Sequence, residues 1–373
     1  MKLDYLIVGS GLFGSVFAHQ ALRAGKKVLV IDKRDHIGGN CYTESSFGID
    51  VHKYGPHIFH TSNESIWRFI NQFGDFNNFT YRPKVNFGGR MFSFPINMMT
   101  LHQAWGVSTP DEAKEKLEQV RVPCENPRNL EEWILSQVGR ELYETFIYGY
   151  TTKQWMRDPK DLPASIIKRL PIRLTYDDNY FNDIYQGIPK KGYTDVFRNM
   201  LCGVDIALGE DYFLNRIKWD AIADRVVYTG RIDEYFNYCY GELEYRSLRF
   251  ENEFYLGDKQ GIAVVNYANV EVPYTRITEH KHFTPERLAS LDATVCTKEF
   301  PIAWNRNEVP YYPIGDERNT SLYLKYKELT SRIPDVIFGG RLAEYKYYDM
   351  HQVIGSALHN FKRNNKEEND HSA

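Results

Sequence analysis

Two short apolar runs separated by a helical pattern open the chain. KLDYLIV, residues 2–8, and KKVLVID, residues 26–32, each predict a buried strand. Between them SVFAHQALRAG, residues 15–25, places apolar residues near helical spacing and ends on a glycine, which predicts a helix. A strand, a helix and a second strand in this order predict an α/β domain at the start of the chain.

The pattern then alternates between helix-like and strand-like segments. ESIWRFINQF, residues 64–73, predicts an amphipathic helix, and residues 109–150 are rich in helical periodicity. Thr109 and Asn129 carry the side chains that are preferred at helix starts. Strands are predicted over residues 84–95, 223–229 and 241–283, the last of these as several short strands.

Three further segments have a distinct character. Residues 161–174, DLPASIIKRLPIRL, are interrupted by prolines and predict a loop or short helix that moves. Residues 336–358 predict a strand, a glycine pair and a helix, and residues 362–373 are polar and predict disorder. Because no internal repeat or long linker separates these segments, we expect the domains to be interleaved along the chain.

Composition excludes several classes of function. The 46 Lys and Arg residues nearly balance the 49 Asp and Glu residues, which predicts no broad surface for nucleic acid or acidic membranes. The five cysteines are widely spaced and form no CxxC motif, so neither a disulfide framework nor a thiolate metal site is expected. No apolar run approaches the ~20 residues of a membrane span, and the N-terminus lacks a signal peptide pattern. These features predict a soluble, cytoplasmic protein.

The glycine motif GSGLFG lies directly between the first strand and the first helix. It places Gly9, Gly11 and Gly14 at the spacing GxGxxG, and Asp32 follows 18 residues after the last glycine, at the end of the second strand. Glycines let the backbone approach a pyrophosphate, the helix N-terminus supplies amide donors, and the acid is placed to bind a ribose. The motif in this setting predicts a dinucleotide-binding domain.

The residues after Asp32 favour FAD over NAD. KRDHIGGNCY, residues 33–42, has a basic pair and a second glycine pair, Gly38 and Gly39, which lets the chain pass close to the cofactor again. The strand, glycine pair and helix of residues 336–358 have two readings that the pattern alone does not separate. They form either an ordinary strand–helix unit or a second approach to a flavin, where a helix N-terminus stabilises negative charge.

Three histidines fall within VHKYGPHIFHT, residues 51–61. His52, His57 and His60 raise the question of a metal site, but no cysteine accompanies them and Gly55 and Pro56 interrupt the segment. Metal binding is therefore the least favoured interpretation, and no metal is predicted. Core packing is the expectation for His52.

Eight segments together resemble the bacterial type of UDP-galactopyranose mutase, over residues 4 to about 358. They are GSGLFG, KRDHIGGN, KYGPHIFHT, GYTTKQW, IIKRLPIR, NYFNDIYQGIP, VPYTRITEHKH and FGGRLAEYKYYDMHQVI. The resemblance implies interconversion of UDP-galactopyranose and UDP-galactofuranose, which supplies galactofuranose for cell-surface glycans. It implies reduced FAD acting as nucleophile on the anomeric carbon without net redox change, a separate electron donor, and a homodimer.

The resemblance also implies three interleaved domains. An FAD-binding Rossmann-like domain comprises residues 1–80, 190–240 and 325–362. An inserted α-helical domain comprises residues 97–180, with the mobile substrate loop at about 161–174. An antiparallel β-sheet domain comprises residues 81–96, 181–189 and 241–324, and residues 363–373 form the disordered tail.

Site residues follow from the same resemblance. The catalytic residues implied are Arg169 and Arg276, which hold the leaving diphosphate, and His60, beside the flavin. The implied substrate contacts are Tyr81, Phe146, Tyr150, Thr151, Trp155, Arg169, Tyr180, Asn266, Arg276, Tyr312, Tyr347 and Asp349. The implied cofactor contacts are Gly9, Gly11, Phe13, Gly14, Asp32, Lys33, Gly39, Asn40, His57, Ile58, Tyr212, Arg341, Tyr347, Asp349, Met350, Gln352 and Val353.

One departure and three alternatives remain open. Many members have Asn where this chain has Tyr81 in FTYRP, which puts contacts on the nucleotide side in doubt. Relatives that act on UDP-N-acetylgalactosamine carry Arg in place of His60, so the histidine favours galactose. The alternatives are activity on UDP-N-acetylgalactosamine, an FAD-dependent oxidoreductase similar to amine oxidases, and a flavoprotein without enzymatic activity.

Overall fold

The structure is a computed structural model that describes residues 2–168 and 170–371, with side chains except at residues 289 and 366–371. Its strands are β1 (Leu3–Val8), β2 (Val28–Asp32), β3 (Thr43–Ser46), β4 (Ile49–His52), β5 (Phe59–Thr61), β6 (Lys84–Phe87), β7 (Arg90–Ser93), β8 (Tyr185–Gly187), β9 (Asp205–Leu208), β10 (Ala223–Tyr228), β11 (Tyr245–Leu256), β12 (Val264–Tyr267), β13 (Arg276–Glu279), β14 (Ala293–Ala303), β15 (Tyr312–Pro313) and β16 (Val336–Phe338). Its α-helices are α1 (Leu12–Arg23), α2 (Glu64–Ile70), α3 (Met98–Trp105), α4 (Pro110–Val120), α5 (Leu130–Tyr143), α6 (Gly149–Trp155), α7 (Gly192–Met200), α8 (Arg216–Ile222), α9 (Ile232–Tyr235), α10 (Glu317–Thr330) and α11 (Met350–His371).

A parallel sheet with the order β16, β10, β1, β2, β9 forms the first layer. Alternate residues of β1 are buried on opposite faces, with Tyr5 and Ile7 in one hydrophobic cluster and Leu6 in another. On the first face Phe17 of α1 contacts both Tyr5 and Phe361 of α11, each at 5.3 Å between ring centroids. Burial on both faces is what the apolar runs predict for a parallel sheet, so the predicted strand–helix–strand opening and the α/β class are confirmed.

A second, larger sheet, called the mixed sheet below, has the order β15, β11, β14, β13, β12, β6, β7 and forms another layer. Its pairs are antiparallel, as predicted, except that β6 runs parallel to β12. The β6–β7 hairpin comes from a distant part of the chain, and no tight turn fixes its direction against β12. β11 is also a single strand of 12 residues where short strands were predicted.

Helices α3 to α6 form a layer with its own apolar core, which includes Leu101, Leu117 and Ile134. Thr109 and Asn129 are N-caps, as predicted, because their side chains accept the backbone N–H groups of Glu112 and Glu132. The helical pattern of residues 129–150 is not one continuous helix. It is broken at Gly139 and passes through a π-helical turn, Glu144–Tyr148, before α6.

The predictions for the last two segments of the chain have different outcomes. Residues 336–358 form β16 and the start of α11, as predicted. The helix continues to His371, which differs from the predicted disorder over residues 363–373, and residues 372–373 lie outside the described part. Among the described residues, none of the helices combines the length and apolar character that a membrane span requires. The exact domain limits stay a prediction.

The described residues of the segment 161–174 pack against the helical layer, where Leu162 and Leu170 join its apolar core. The described part of this segment forms irregular turns and the short 3₁₀ helix Ala164–Ile166, in agreement with the predicted loop or short helix. Ile166, Ile167 and Leu170 face a cavity of about 860 Å³ that is also lined by the parallel sheet and the mixed sheet. All three layers therefore contribute walls to one cavity.

Candidate functional site

The cavity brings together most of the residues that the sequence singled out. The predicted residues that line it are Gly9, Gly11, Phe13, Gly14, Asp32, Lys33, Gly39, Asn40, His57, Ile58, His60, Tyr81, Phe146, Tyr150, Thr151, Trp155, Tyr180, Tyr212, Asn266, Arg276, Tyr312, Arg341, Tyr347, Asp349, Met350 and Val353. These residues come from distant parts of the chain, so their convergence is a property of the fold.

Two predicted residues are not among the lining residues. Gln352 lies in the first turn of α11, where its side-chain oxygen accepts the backbone N–H of Asp349 at 2.9 Å. This side-chain oxygen therefore caps the helix, and the predicted contact of Gln352 with a cofactor stays a prediction. Arg169 lies outside the described residues, so its predicted position in the site stays a prediction.

The glycine turn forms a tight cradle at one end of the cavity. Gly9 has φ of +108°, a conformation that favours glycine, and a Cβ atom on Gly14 would lie 2.0 Å from the carbonyl oxygen of Gly9. A Cβ atom on Gly39 would lie 2.9 Å from the Cα atom of Gly11. The two glycine motifs therefore touch each other, and their bare backbone is exposed to the cavity as a dinucleotide pyrophosphate requires.

Asp32 lies at the end of β2 beside this cradle. One carboxylate oxygen accepts the backbone N–H of Ser10 at 2.8 Å and its hydroxyl at 2.7 Å, and the other accepts the N–H of Arg34 at 3.0 Å. Arg34 also lines the cavity, and its Nη1 atom is buried without a hydrogen-bond partner among the described residues. The acid, the cradle and a buried cation together fit the ribose and diphosphate of a dinucleotide.

The three histidines do not converge on one point. The backbone N–H of His57 donates to Nδ1 of His52 at 3.1 Å, and the ring of His57 lies 2.8 Å from the carbonyl of Gly55. Burial lowers the pKa of His52 well below its usual value and lowers that of His57 to about 4, so both are neutral. His52 packs against His280 and Phe283, in agreement with the predicted packing role.

His60 has different neighbours. Its Nδ1 atom is 2.6 Å from a carboxylate oxygen of Asp183, and its Nε2 atom is 4.0 Å from Asp349. Metal-ligand atoms of His60, Asp349 and His351 lie within 4.8 Å of one another. We assign no metal to this group, because His60 and Asp349 line the cavity in which the dinucleotide is expected.

The partly buried guanidinium of Arg276 also lines the cavity. Arg276 donates from Nη2 to the hydroxyl of Tyr150 at 2.9 Å, and its Nε atom is 3.4 Å from Oε1 of Glu299. Burial acts to lower the pKa of Arg276, but the Glu299 carboxylate and the neighbouring tyrosines together outweigh it. The net pKa is raised, so the arginine remains charged. The arrangement leaves a fixed positive charge facing the cavity, where a phosphate can bind.

Glu299 was not predicted from the sequence. It lies on β14 directly opposite Arg276 on β13, and its side chain is buried. Only the strand register identifies this partner, because 23 residues separate the two positions along the chain. Asn266 on β12 faces Arg276 from the other side, so three neighbouring strands contribute to this part of the cavity.

Tyrosines form much of the cavity wall. The ring of Tyr81 lies 5.1 Å from Tyr180 and 5.8 Å from Phe181, and Tyr312 stacks on Tyr347 at 6.0 Å. Burial raises the pKa of Tyr81 and of Tyr312, so both hydroxyls keep their protons and can donate hydrogen bonds. Such walls suit a sugar, since aromatic faces pack on C–H groups and hydroxyls bond to phosphate and sugar oxygens.

Helix α6 carries Tyr150, Thr151 and Trp155 into the cavity, and Phe146 precedes it in the π-helical turn. Lys153, on the same helix, anchors it to the mixed sheet. Its ammonium donates to three backbone carbonyls at 2.8–2.9 Å. In the segment GYTTKQW, some side chains therefore line the cavity, and Lys153 holds the helix in place.

Comparisons with known proteins agree with this geometry. The sequence model of the family UDP-galactopyranose mutase matches residues 145–347, and that of the NAD(P)-binding Rossmann-like domain matches residues 7–73. The chain is 44% identical to a probable UDP-galactopyranose mutase of Klebsiella pneumoniae, over 95% of this chain and 93% of that protein. It is 41% identical to a dTDP-fucopyranose mutase of Escherichia coli, over 97% and 99%.

A solved structure shares the fold. It is a crystal structure of reduced UDP-galactopyranose mutase, with a TM-score of 0.72, 15% sequence identity and coverage of 96% of this chain and 94% of that chain. The family match and the Rossmann-like domain together imply a flavin cofactor, FAD, for which the cradle, Asp32 and Arg34 are suited.

Proposed function

The chain belongs to the UDP-galactopyranose mutase family, and from that premise we propose that it interconverts UDP-galactopyranose and UDP-galactofuranose. The observation that carries the proposal is the partly buried guanidinium of Arg276, which shares one cavity with the glycine cradle. One cavity can thus hold a dinucleotide and a nucleotide sugar side by side. The isomerase class follows from the family, and the substrate is the proposed part.

The proposed role of Arg276 is to stabilise the departing nucleoside diphosphate. When the bond between the anomeric carbon and the diphosphate breaks, negative charge grows on the phosphate oxygens. A guanidinium that is partly buried and already oriented by Glu299 and Tyr150 stabilises this charge without reorganising. Arg169 is proposed as the second phosphate ligand, carried by the segment 161–174 when it moves over the substrate.

The residues around the glycine cradle have a different proposed role, which is to bind the cofactor. Reduced FAD, when bound, supplies a nucleophilic nitrogen for the anomeric carbon without net redox change. The protein's residues bind and orient it: Gly9, Gly11 and Gly39 allow close approach of its diphosphate, and Asp32 binds its ribose. His60 and Asp349 face the cavity between the cofactor and sugar positions.

The Escherichia coli relative provides a second candidate substrate. A dTDP-fucopyranose mutase is 41% identical to this chain over nearly its full length. Fucose carries a methyl group where galactose carries a hydroxymethyl group, and thymidine carries a methyl group that uridine lacks. Many family members carry Asn at the position of Tyr81. The aromatic ring of Tyr81 gives the wall an apolar surface, which is compatible with the methyl group of fucose or with that of thymine.

A direct assay tests the function and separates the candidates. The purified protein, with its bound flavin reduced by dithionite, is incubated with UDP-galactofuranose or with dTDP-fucofuranose, and the pyranose product is quantified by chromatography. We expect turnover of UDP-galactofuranose at the higher kcat/KM. A preference for dTDP-fucofuranose would establish the second candidate, and UDP-N-acetylgalactosamine is the next substrate to test. Turnover of none of these would contradict the proposal.

Two rivals and two further assignments complete the proposal. An oxidoreductase similar to amine oxidases would consume oxygen in step with substrate, which measurement of oxygen consumption detects. A flavoprotein without activity would bind no nucleotide sugar, so UDP would not protect its Trp fluorescence. We also propose, on the family resemblance, that the protein forms a homodimer and accepts electrons from a separate donor.

A further inference from the structure

The imidazole of His60 is held by Phe181 and Asp183, two residues to which the sequence analysis assigned no role. Strand β5, which carries His60, pairs with β8, and this pairing brings residues 181–183 beside the ring. Phe181 stacks on the imidazole with 3.6 Å between ring centroids and 9° between planes. Asp183 places a carboxylate oxygen 2.6 Å from Nδ1. The ring is therefore fixed both in its plane and in its rotation.

Asp183 is itself held in place. Its second carboxylate oxygen accepts the hydroxyl of Ser62 at 2.7 Å, and its backbone carbonyl accepts the side-chain amide of Gln186 at 3.1 Å. Burial acts to raise the pKa of Asp183, but the hydrogen bonds from His60 and Ser62 outweigh it and leave the net pKa lowered. The carboxylate is thus ionised at neutral pH and can only accept hydrogen bonds.

From this geometry we propose that Asp183 is a positioning residue that holds His60 with its Nδ1 atom protonated. An ionised carboxylate at 2.6 Å requires a donor, so when the ring carries a single proton, that proton lies on Nδ1. Nε2 then carries a lone pair. The groups that face the imidazole are Asp183 from the segment before β8, and Asp349 and His351 from the start of α11.

The consequence for catalysis rests on the proposed function. His60 lines the cavity, and its Nε2 atom points to the side of Asp349, where the cofactor is expected. An acceptor at Nε2 matches a ligand that presents an N–H group, which a reduced flavin does and an oxidised flavin does not at its reacting nitrogen. Asp183 thereby selects the cofactor's redox state through His60, although it does not line the cavity itself.

The tautomer is measured directly by NMR. The holoenzyme is labelled with ¹⁵N-histidine, and long-range ¹H–¹⁵N correlations are recorded at mildly alkaline pH for wild type, Asp183→Ala, Asp183→Asn and Ser62→Ala. The His60 signals are assigned by a His60→Gln variant. We expect the Nδ1–H tautomer in wild type and in Ser62→Ala, which retains the Asp183 contact, and a shift to Nε2–H in Asp183→Ala. Asp183→Asn keeps the shape and is the second variant if Asp183→Ala does not fold.

Kinetics provide the second measurement. Because Asp183 does not touch the substrate in this account, its alanine variant should lose about tenfold or more in kcat with little change in KM. A wild-type enzyme with the Nε2–H tautomer, or an Asp183→Ala variant that keeps Nδ1–H, would overturn the positioning role. If the tautomer behaves as expected but no nucleotide sugar is converted, the proposed function fails and the role of Asp183 stands.

Discussion

At the scale of single residues, the site depends on a charge that would be costly to bury alone. Arg276 is compensated by Glu299 on the next strand and by the hydroxyl of Tyr150. A buried ion pair of this kind contributes little net stability, and its retention is explained if a ligand uses the charge. We therefore attribute the Arg276–Glu299 pair to substrate binding.

The shape of the guanidinium can be tested separately from its charge. Arg276→Lys keeps the positive charge but loses the planar fork that binds phosphate with two parallel hydrogen bonds. We expect kcat/KM to fall about 10- to 100-fold, measured with the reduced enzyme. The matched control is Arg157→Lys, since Arg157 is also partly buried but pairs with Glu244 and Asp316. Equal losses in the two variants would argue against a phosphate contact at Arg276.

Substrate choice is also a residue-scale question. Tyr81 lies in the aromatic wall with Tyr180 and Phe181, where its ring favours an apolar group. Tyr81→Asn should raise the ratio of kcat/KM for UDP-galactofuranose over dTDP-fucofuranose about tenfold, because an amide serves a hydroxyl better than a methyl group. Tyr81→Phe, which keeps the ring, should leave the ratio nearly unchanged. An unchanged ratio in Tyr81→Asn would mean that Tyr81 does not face the distinguishing groups.

Residues in local motifs were predictable, and residues joined across strands were not. The glycines and Asp32 follow one another at fixed spacing, so the sequence alone brings them together at the cavity. Glu299 and Asp183 have no such signal: the first depends on the register of β13 with β14, and the second on the pairing of β5 with β8. Periodicity shows which face of a strand is buried, but it does not show which distant strands pair, and both contacts depend on that pairing.

At the scale of elements, the turn between β1 and α1 contains two glycines that are required for different reasons. Gly14 permits close packing of the helix on the turn, since a Cβ atom there would lie 2.0 Å from the Gly9 carbonyl. At Gly11 a Cβ atom would lie no closer than 3.9 Å to its neighbours, and the position faces the cavity. One glycine therefore serves the fold, and the other serves the approach of a cofactor.

This difference gives a paired prediction. Gly14→Ala should lower the free energy of unfolding by about 2–3 kcal/mol or prevent folding, because helix and turn must separate. Gly11→Ala should fold with nearly unchanged stability and lose FAD affinity. Chemical unfolding in the absence of added cofactor and FAD titration followed by flavin fluorescence measure the two effects. A Gly11→Ala protein that retains full FAD affinity would contradict the assignment of the cradle.

The elements themselves were partly predictable for a physical reason. The caps at Thr109 and Asn129 are local signals, and the structure confirms them. At the break Gly139 has φ of +77°, and it lies against Val120, where a Cβ atom would be 2.4 Å from the carbonyl oxygen. Helical periodicity continues across that point, so it does not reveal the contact that favours the break.

At the scale of the whole molecule, buried histidines join the α/β layer to the mixed sheet. His52 on β4 lies 5.8 Å from His280, which follows β13, and both are almost completely buried. Burial lowers the pKa of His52 well below 6.5 and that of His280 to about 3. Unfolding lets these rings take up protons at acid pH, so the stability that is present above pH 6.5 is lost as the pH falls below it.

The slope of this loss is a prediction. In wild type, the free energy of unfolding should fall steeply from pH 6.5 toward pH 4. His52→Asn, which preserves an acceptor for the backbone N–H of His57, should reduce that slope by about 1.4 kcal/mol per pH unit. Urea unfolding at a series of pH values measures it. An identical slope in both proteins would show that His52 is not buried in its neutral form.

The central claim is that this cavity supports a mutase that needs reduced flavin but consumes no electrons. The most direct measurement reduces the bound flavin once, removes the excess reductant anaerobically, and counts product molecules per flavin with UDP-galactofuranose and dTDP-fucofuranose. We predict many turnovers of at least one substrate per reduced flavin, a flavin that is still reduced at the end, and no turnover by the oxidised enzyme. One product per flavin with reoxidation, or equal turnover by the oxidised enzyme, would contradict the claim.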